Sequence, residues 1–200
     1  MGKGALTRER IVGRAVQLAS TDGITGLTLG RLADSIGMSK SGLFAHFRSK
    51  EELQLQVLQA AIAQFQEFVV RPAQAAPSGE ERFRVVAERW IAWADTREEM
   101  PGGCLFMQAG AELDDQPGPV RDMLTDAKRR WNETLTAYAR SAVRRGAFRE
   151  DVDPALFAFQ FEAIILGAGH FHRLLNDPRA FAHARASIDA LLASARRTPH

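Results

Sequence analysis

Cysteine is almost absent from the chain: Cys104 stands alone, which excludes an intrachain disulfide and a cysteine cluster for metal. Long hydrophobic runs are also lacking. The most extended apolar stretch, Ala155 to Ala168, is interrupted by Gln160 and Glu162 and reads as too short to span a bilayer. The N-terminus has no apolar segment of the signal-peptide kind, which predicts a cytoplasmic protein. Runs of β-branched residues are scarce, whereas Ala, Leu, Arg, Glu and Gln abound, so the composition predicts an all-α fold. No segment has the spacing of a nucleophile elbow, a phosphate loop or a zinc-protease helix. An enzyme would therefore have to build its site from Cys104, a histidine and a carboxylate in the C-terminal part. His170 and His172 point to different faces of one helix, and His183 could join only one of them, so neither metal nor cofactor is expected.

What is present is unevenly distributed. Residues 1–50 carry eight Lys/Arg against three Asp/Glu, a balance of +5, whereas residues 51–200 carry eighteen against twenty-one, a balance of −3. A small basic head on a mildly acidic body suits a protein that meets phosphates with one end. The stretch from Ile24 to Leu53 lies mostly in that head. Thr28 is placed to cap a helix over Leu29–Ile36, with Leu29, Leu32, Ala33 and Ile36 at helical spacing. Gly37 supplies the turn. Ser39 is placed to cap a second short helix that carries Leu43, Phe44 and Phe47 inward. Ser49-Lys50-Glu51-Glu52 is a capping box that opens the next helix at once. Helix, tight turn and helix with a polar leading edge is the geometry that enters a DNA major groove.

In the ordered set Thr28, Gly37, Ser39-Lys40, Leu43-Phe44, His46-Phe47 and Ser49-Lys50-Glu51-Glu52-Leu53, the chain resembles the TetR family of transcriptional regulators. The resemblance covers about residues 7–53. It implies a DNA-binding domain over 1–53 and a helical effector-binding and dimerisation domain over 54–200. Lys40, Ser41 and Gly42 form the edge facing bases: Lys40 can donate to guanine, Ser41 is permissive, and Gly42 lets the backbone approach. The resemblance assigns backbone contacts to Thr28, His46 and Lys50. Arg48 joins them on charge, and Ser39 as the cap of the reading helix. Where the family usually has a tyrosine whose hydroxyl touches a phosphate, this chain has Phe44, which leaves packing or apolar contact as its role.

Before this motif, Met1–Leu6 reads as an arm from which Lys3, Arg8 and Arg10 could reach DNA, and Thr7 as the cap of a first helix ending at Gly23. After it, a helix from Lys50 to about Val70 is expected to stop at Arg71-Pro72, with a loop to Gly79. Further helices are expected over Glu80–Arg97, Cys104–Leu113 and Pro119–Arg145, then from Pro154 to Leu175 and after Pro178.

Phe65, Phe68, Trp90, Trp93 and Cys104 are candidate lining of a ligand pocket. So are Phe106, Met107, Trp131, Tyr138 and Phe161, while Tyr138, Gln108 or Glu112 would serve as polar anchors. The alternative for each is plain core. Cys104 has no neighbouring cation in sequence to lower its pKa, so a buried small hydrophobe is expected over a redox thiol. The last two helices carry surplus apolar surface. Phe157, Ile164, Ile165, Gly169, Phe171 and Leu174 on one, with Ile188, Leu191 and Leu192 on the other, are candidates for a homodimer interface or for a larger monomer core. These readings predict a repressor that binds a palindromic operator as a dimer and is released by a small, mainly hydrophobic effector. The alternatives are control by a protein partner or by Cys104 oxidation, and, more remotely, an enzyme using the C-terminal cavity.

Overall fold

A computed structural model describes residues 3–95 and 100–197, with side chains described from residue 8. Among these residues the chain is helical and contains no strand beyond an isolated bridge between Phe148 and Arg196. Ten α-helices follow in order: α1 Lys3–Asp22, α2 Leu29–Ile36, α3 Lys40–Phe44, α4 Lys50–Phe65, α5 Arg71–Ala75, α6 Glu80–Asp95, α7 Leu105–Leu113, α8 Pro119–Arg144, α9 Pro154–Leu174 and α10 Ala180–Ala195. A π-helical turn, Gln66–Val70, joins α4 to α5.

The chain divides into two compact units. The first comprises residues 1–64 and 96–127, the second residues 65–95 and 128–200. In the first, Ile11, Ala15 and Ala19 of α1, Leu32 and Ala33 of α2, Leu43, Phe47, and Leu53, Val57 and Ala61 of α4 are all buried and make up an apolar core. In the second, Phe83 of α6 is fully buried at the centre of a ring cluster. Its neighbours are Phe157 at 4.9 Å, Phe161 at 5.1 Å, Phe148 at 6.1 Å and Tyr138 at 6.4 Å between centroids. Phe148 is stacked on Phe83 and the other three rings meet it edge-on, contacts that contribute beyond the area they bury. Helix α10 lies along α9, and charge pairs fasten it to α6: Arg196 to Glu80, Arg185 to Glu88, and Arg84 to Asp189. Glu80 is held below the usual carboxylate range, first by the hydrogen bond from Arg196 and then by Arg84.

Several expectations need correction. Helix α1 begins at Lys3, so Thr7 lies inside it and the expected arm shrinks to Met1 and Gly2, which fall outside the described residues. The helix after Lys50 does not stop at Pro72. A proline ring clashes with the carbonyl four residues back in a regular α-helix. The π turn opens the hydrogen-bond register just ahead of Pro72, with the Arg71 N–H bonded to the Gln66 carbonyl, and helicity resumes to Ala75. Arg97, the expected end of the next helix, lies outside the described residues. Helix α9 runs for 21 residues and is long and apolar enough, by length and composition, to cross a membrane, unlike the shorter stretch counted from sequence. Its inner face is part of the second unit's core, and its buried Glu162 is paired with Lys128.

Candidate functional site

Thr28, in extended backbone, accepts the Arg31 N–H on its side-chain oxygen at 3.2 Å and so satisfies one of the orphan donors of α2. Gly37 closes that helix at φ +66°, a left-handed conformation that favours glycine. Ser39 repeats the device for α3: its hydroxyl accepts the Gly42 N–H at 3.1 Å and lies 3.2 Å from the Ser41 hydroxyl. Leu43 and Phe47 are fully buried and anchor the short helix. Its other face carries Lys40, Ser41 and Phe44 into solvent.

Phe44 is 52% exposed, which corrects the inward placement expected from sequence and leaves apolar contact, rather than packing, as its available role. The Lys40 stem lies over Gly30, where an added Cβ would come within 3.3 Å of its Cε. The next helix is capped by Ser49, which accepts the Glu52 N–H at 3.0 Å, while the Glu52 carboxylate accepts the Arg48 N–H at 2.9 Å. The reciprocal half of this box thus reaches one residue further back than the motif's usual form. Glu52 also pairs with Arg8, whose guanidinium lies 5.2 Å over the Phe47 ring. Arg8 is therefore committed to packing within its own unit. Arg48 and Lys50 are exposed, and the Lys50 ammonium donates to the Thr25 carbonyl at 2.6 Å, which fixes its position at the end of the α1–α2 turn. His46 is half-buried beside Phe47.

The α1–α2 turn is in turn held by the segment around α7, in the same unit. The Glu112 carboxylate accepts the Thr25 N–H at 2.9 Å and the Thr25 hydroxyl at 2.7 Å. Gln54 donates to the Ile24 carbonyl at 2.7 Å, and the Gly102 N–H donates to the buried Ser20 hydroxyl at 3.0 Å. Gly102 admits no side chain, because an added Cβ would overlap the Ser20 carbonyl. Glu112 and Gln108, expected as polar anchors for a ligand, are both engaged within the protein, since Gln108 donates to the Gly102 carbonyl at 2.6 Å. This mounting of the turn was not foreseen, as nothing local in sequence links Thr25 to Glu112.

The expected pocket residues fall in both units. Cys104, Phe106 and Met107 belong to the first, where Cys104 is buried and the other two are half-buried. The remainder belong to the second. There Phe65 is met edge-on by Trp131 at 5.2 Å, Trp93 at 5.6 Å and Trp90 at 5.8 Å, and Trp90 meets Trp131 at 5.3 Å. Phe68 tilts against Trp93 at 6.0 Å but is 36% exposed, with the Arg89 guanidinium 5.6 Å over its ring. Tyr138 lies beneath Arg82, and burial raises its hydroxyl pKa above the ordinary value against the opposing pull of Arg82 and Gln74. Phe161 belongs to the Phe83 cluster.

Of the expected interface residues, Phe157, Ile165, Gly169, Ile188 and Leu192 are buried within their own unit. Ile164 packs against a cluster of Ile91, Ala94, Ala168, Phe181 and Ala184, and Leu191 is half-buried. Phe171 and Leu174 are exposed, together with Leu156, Phe159 and Leu175, which are not among the residues expected at the interface. Their signal was helical phase: Leu156, Phe159, Ala163, Gly167, His170 and Leu174 recur at i, i+3/i+4 on the face of α9 opposite Phe157 and Phe161.

Comparison with known proteins agrees with this architecture. Residues 11–57 match the pattern of bacterial regulatory proteins of the tetR family, and residues 79–188 match that of the tetracyclin repressor-like C-terminal domain. A TetR transcriptional regulator from Chloroflexus aurantiacus is similar over 100% of both chains, at 25% identity and a TM-score of 0.89. A transcriptional regulator from Saccharomonospora viridis, solved in complex with choline, is 22% identical with a TM-score of 0.83, over 97% of this chain and 100% of that one. AibR, solved in complex with isovaleryl coenzyme A and operator DNA, is 22% identical with a TM-score of 0.73, over 94% and 97% of the two chains. No curated protein matches the chain.

Proposed function

The chain belongs to the TetR family of DNA-binding transcriptional regulators, and from that premise we propose that it is a homodimeric repressor released from a palindromic operator by a small, mainly hydrophobic effector. The observation that carries the DNA half of this reading is the outward face of α3, where Lys40, Ser41 and Phe44 stand exposed on a helix anchored by Leu43. Lys40 and Ser41 read base edges, and Gly42 keeps the backbone close. Thr28, Ser39, His46, Arg48 and Lys50 hold the phosphates, and Phe44 makes an apolar contact in place of a phosphate-directed hydroxyl. The functional boundary lies near residue 53, with residues 54–200 serving effector binding and dimerisation.

The apolar face of α9 supports the dimer. Leu156, Phe159 and Leu174 flank Ala163 and Gly167, and a side chain added at Gly167 would meet nothing within 4 Å. A second copy packed there by a two-fold axis buries this face and presents two heads to successive major grooves, about 34–36 Å apart. The same face explains why a helix of membrane-spanning length fits a cytoplasmic regulator. The effector acts by population shift, favouring a form whose heads no longer match that spacing. Relatives solved with choline and with an acyl coenzyme A support ligand control as a class. Control through Cys104 oxidation is the weaker reading, because the thiol is buried.

Sedimentation of the purified protein tests the assembly. The account expects a dimer that Leu174→Glu together with Phe159→Glu converts to monomer, with operator affinity falling at least about tenfold as the paired half-sites are lost. A monomer in the unmodified protein, bound to a single half-site, would overturn it.

A further inference from the structure

Buried polar groups in folded proteins almost always have a hydrogen-bond partner, and each one left without a partner is destabilising. The cluster around Phe65 departs from this three times over. The indole N–H groups of Trp90, Trp93 and Trp131 are all buried without an acceptor, and these residues are 3%, 6% and 8% exposed. They are also the only three tryptophans in the chain. An indole N–H can donate and cannot accept, so whatever completes the cluster must bring acceptors.

The rings themselves limit the occupant further. Phe65 meets Trp90, Trp93 and Trp131, and Trp90 meets Trp131, at interplanar angles of 80–88°. In each such pair the edge of one ring covers a face of the other, which leaves fewer π-faces open to a quaternary ammonium, and the N–H edges carry the positive end of the ring quadrupole, which disfavours a cation. The unused capacity is at the polar N–H edges. Phe68, tilted against Trp93 and partly exposed, forms the solvent side of the cluster.

We propose that this cluster is the recognition end of the effector site and selects a planar aryl ligand bearing an sp² oxygen acceptor, a ketone or similar carbonyl, rather than a hydrocarbon or an organic cation. The inference rests on the effector reading above and adds the chemical class. The aryl group packs among the rings, and the oxygen takes one or more of the indole donors.

The test compares acetophenone with ethylbenzene, and 9-fluorenone with fluorene, pairs that differ by little more than a carbonyl. Tetramethylammonium is the cation arm. With 15N-labelled protein, each tryptophan contributes one indole N–H resonance, and all of them report on this cluster. The ketone of at least one pair should shift one or more of these resonances and bind about tenfold more tightly than its hydrocarbon, the gain of about one net hydrogen bond. Replacing the engaged tryptophan by phenylalanine, which keeps a ring and removes the donor, should bring the two affinities together. Equal affinity within both pairs, unmoved indole resonances (donors served by ordered water alone), tighter binding of tetramethylammonium, or no binding by either pair would each overturn the proposal. Operator binding measured without any probe is read separately, so loss of the regulator reading and loss of the ligand class give different results.

Discussion

In the unit that carries the N-terminal helices, polar side chains meet partners close by or cap the next element. Thr28 serves Arg31, Ser39 serves Gly42, Ser49 serves Glu52, and Glu112 crosses to hold both donors of Thr25. In the unit built on α6, α9 and α10, the interior is instead a field of rings around Phe83 and Phe65, and three buried indole donors have no partner. A region that must present a fixed surface satisfies its own polar groups. In the proposed effector unit some of them stay open, at a cost in stability that a bound acceptor would remove. The contrast fits the proposed division of labour, with DNA contact in one unit and effector binding in the other.

The comparison can be broken by substitution. The largest effect belongs to the ring core: Phe83→Ala should cost about 3–5 kcal/mol in urea unfolding, because four aromatic neighbours lose their central contact. A cost below 1 kcal/mol would show that the cluster repacks freely. Glu112→Gln should cost about 1.5–3 kcal/mol, since a charged acceptor of two hydrogen bonds becomes a neutral one, and amide exchange at Thr25 should quicken. Unchanged exchange would mean that the turn holds itself. Thr28→Ala should cost about 1 kcal/mol, and restoring Ser should recover most of it.

The smallest effect is one of pH. The Glu80 pKa is lowered on folding by Arg196 and Arg84, so the unfolded chain takes up that proton first on acidification. The stabilisation is therefore complete above the ordinary carboxylate pKa and declines as pH falls through the lowered one. Glu80→Gln should flatten the acid limb of a stability profile while leaving the operator-binding face untouched. A parallel profile would show that the clamp on α10 is inert.

The head was the more legible part of the chain because its signals are local. Thr28, Gly37, Ser39 and the Ser49–Glu52 box each act within a few residues, and all fall where expected, although Phe44 faces outward. The start of α6 and the boundaries of α7 and α8 were legible from apolar spacing and from the breaks at Gly102, Pro117 and Gly146. The passage through Pro72 was not, because a proline normally stops a helix and the π turn that accommodates it leaves no pattern in sequence. Nor was the division of α9 into inner and outer faces. Helical phase groups Phe159 with Leu174 apart from Phe157 and Ile165, but in a helix apolar all round only what packs against it decides which face is buried. The tryptophans stand out in the sequence by size and spacing, whereas their unpartnered donors depend on contacts distant in sequence.

The regulator reading rests most directly on discrimination between duplexes. Fragments selected from genomic DNA should bind at least about 10³-fold more tightly than random duplex at physiological salt. Affinity should fall steeply as salt rises, Lys40→Ala should narrow the specificity ratio by about 1–3 kcal/mol, and Arg48→Ala should weaken all sequences alike and reduce the salt slope by about one. Binding of selected and random duplex with equal affinity at low salt would contradict the account.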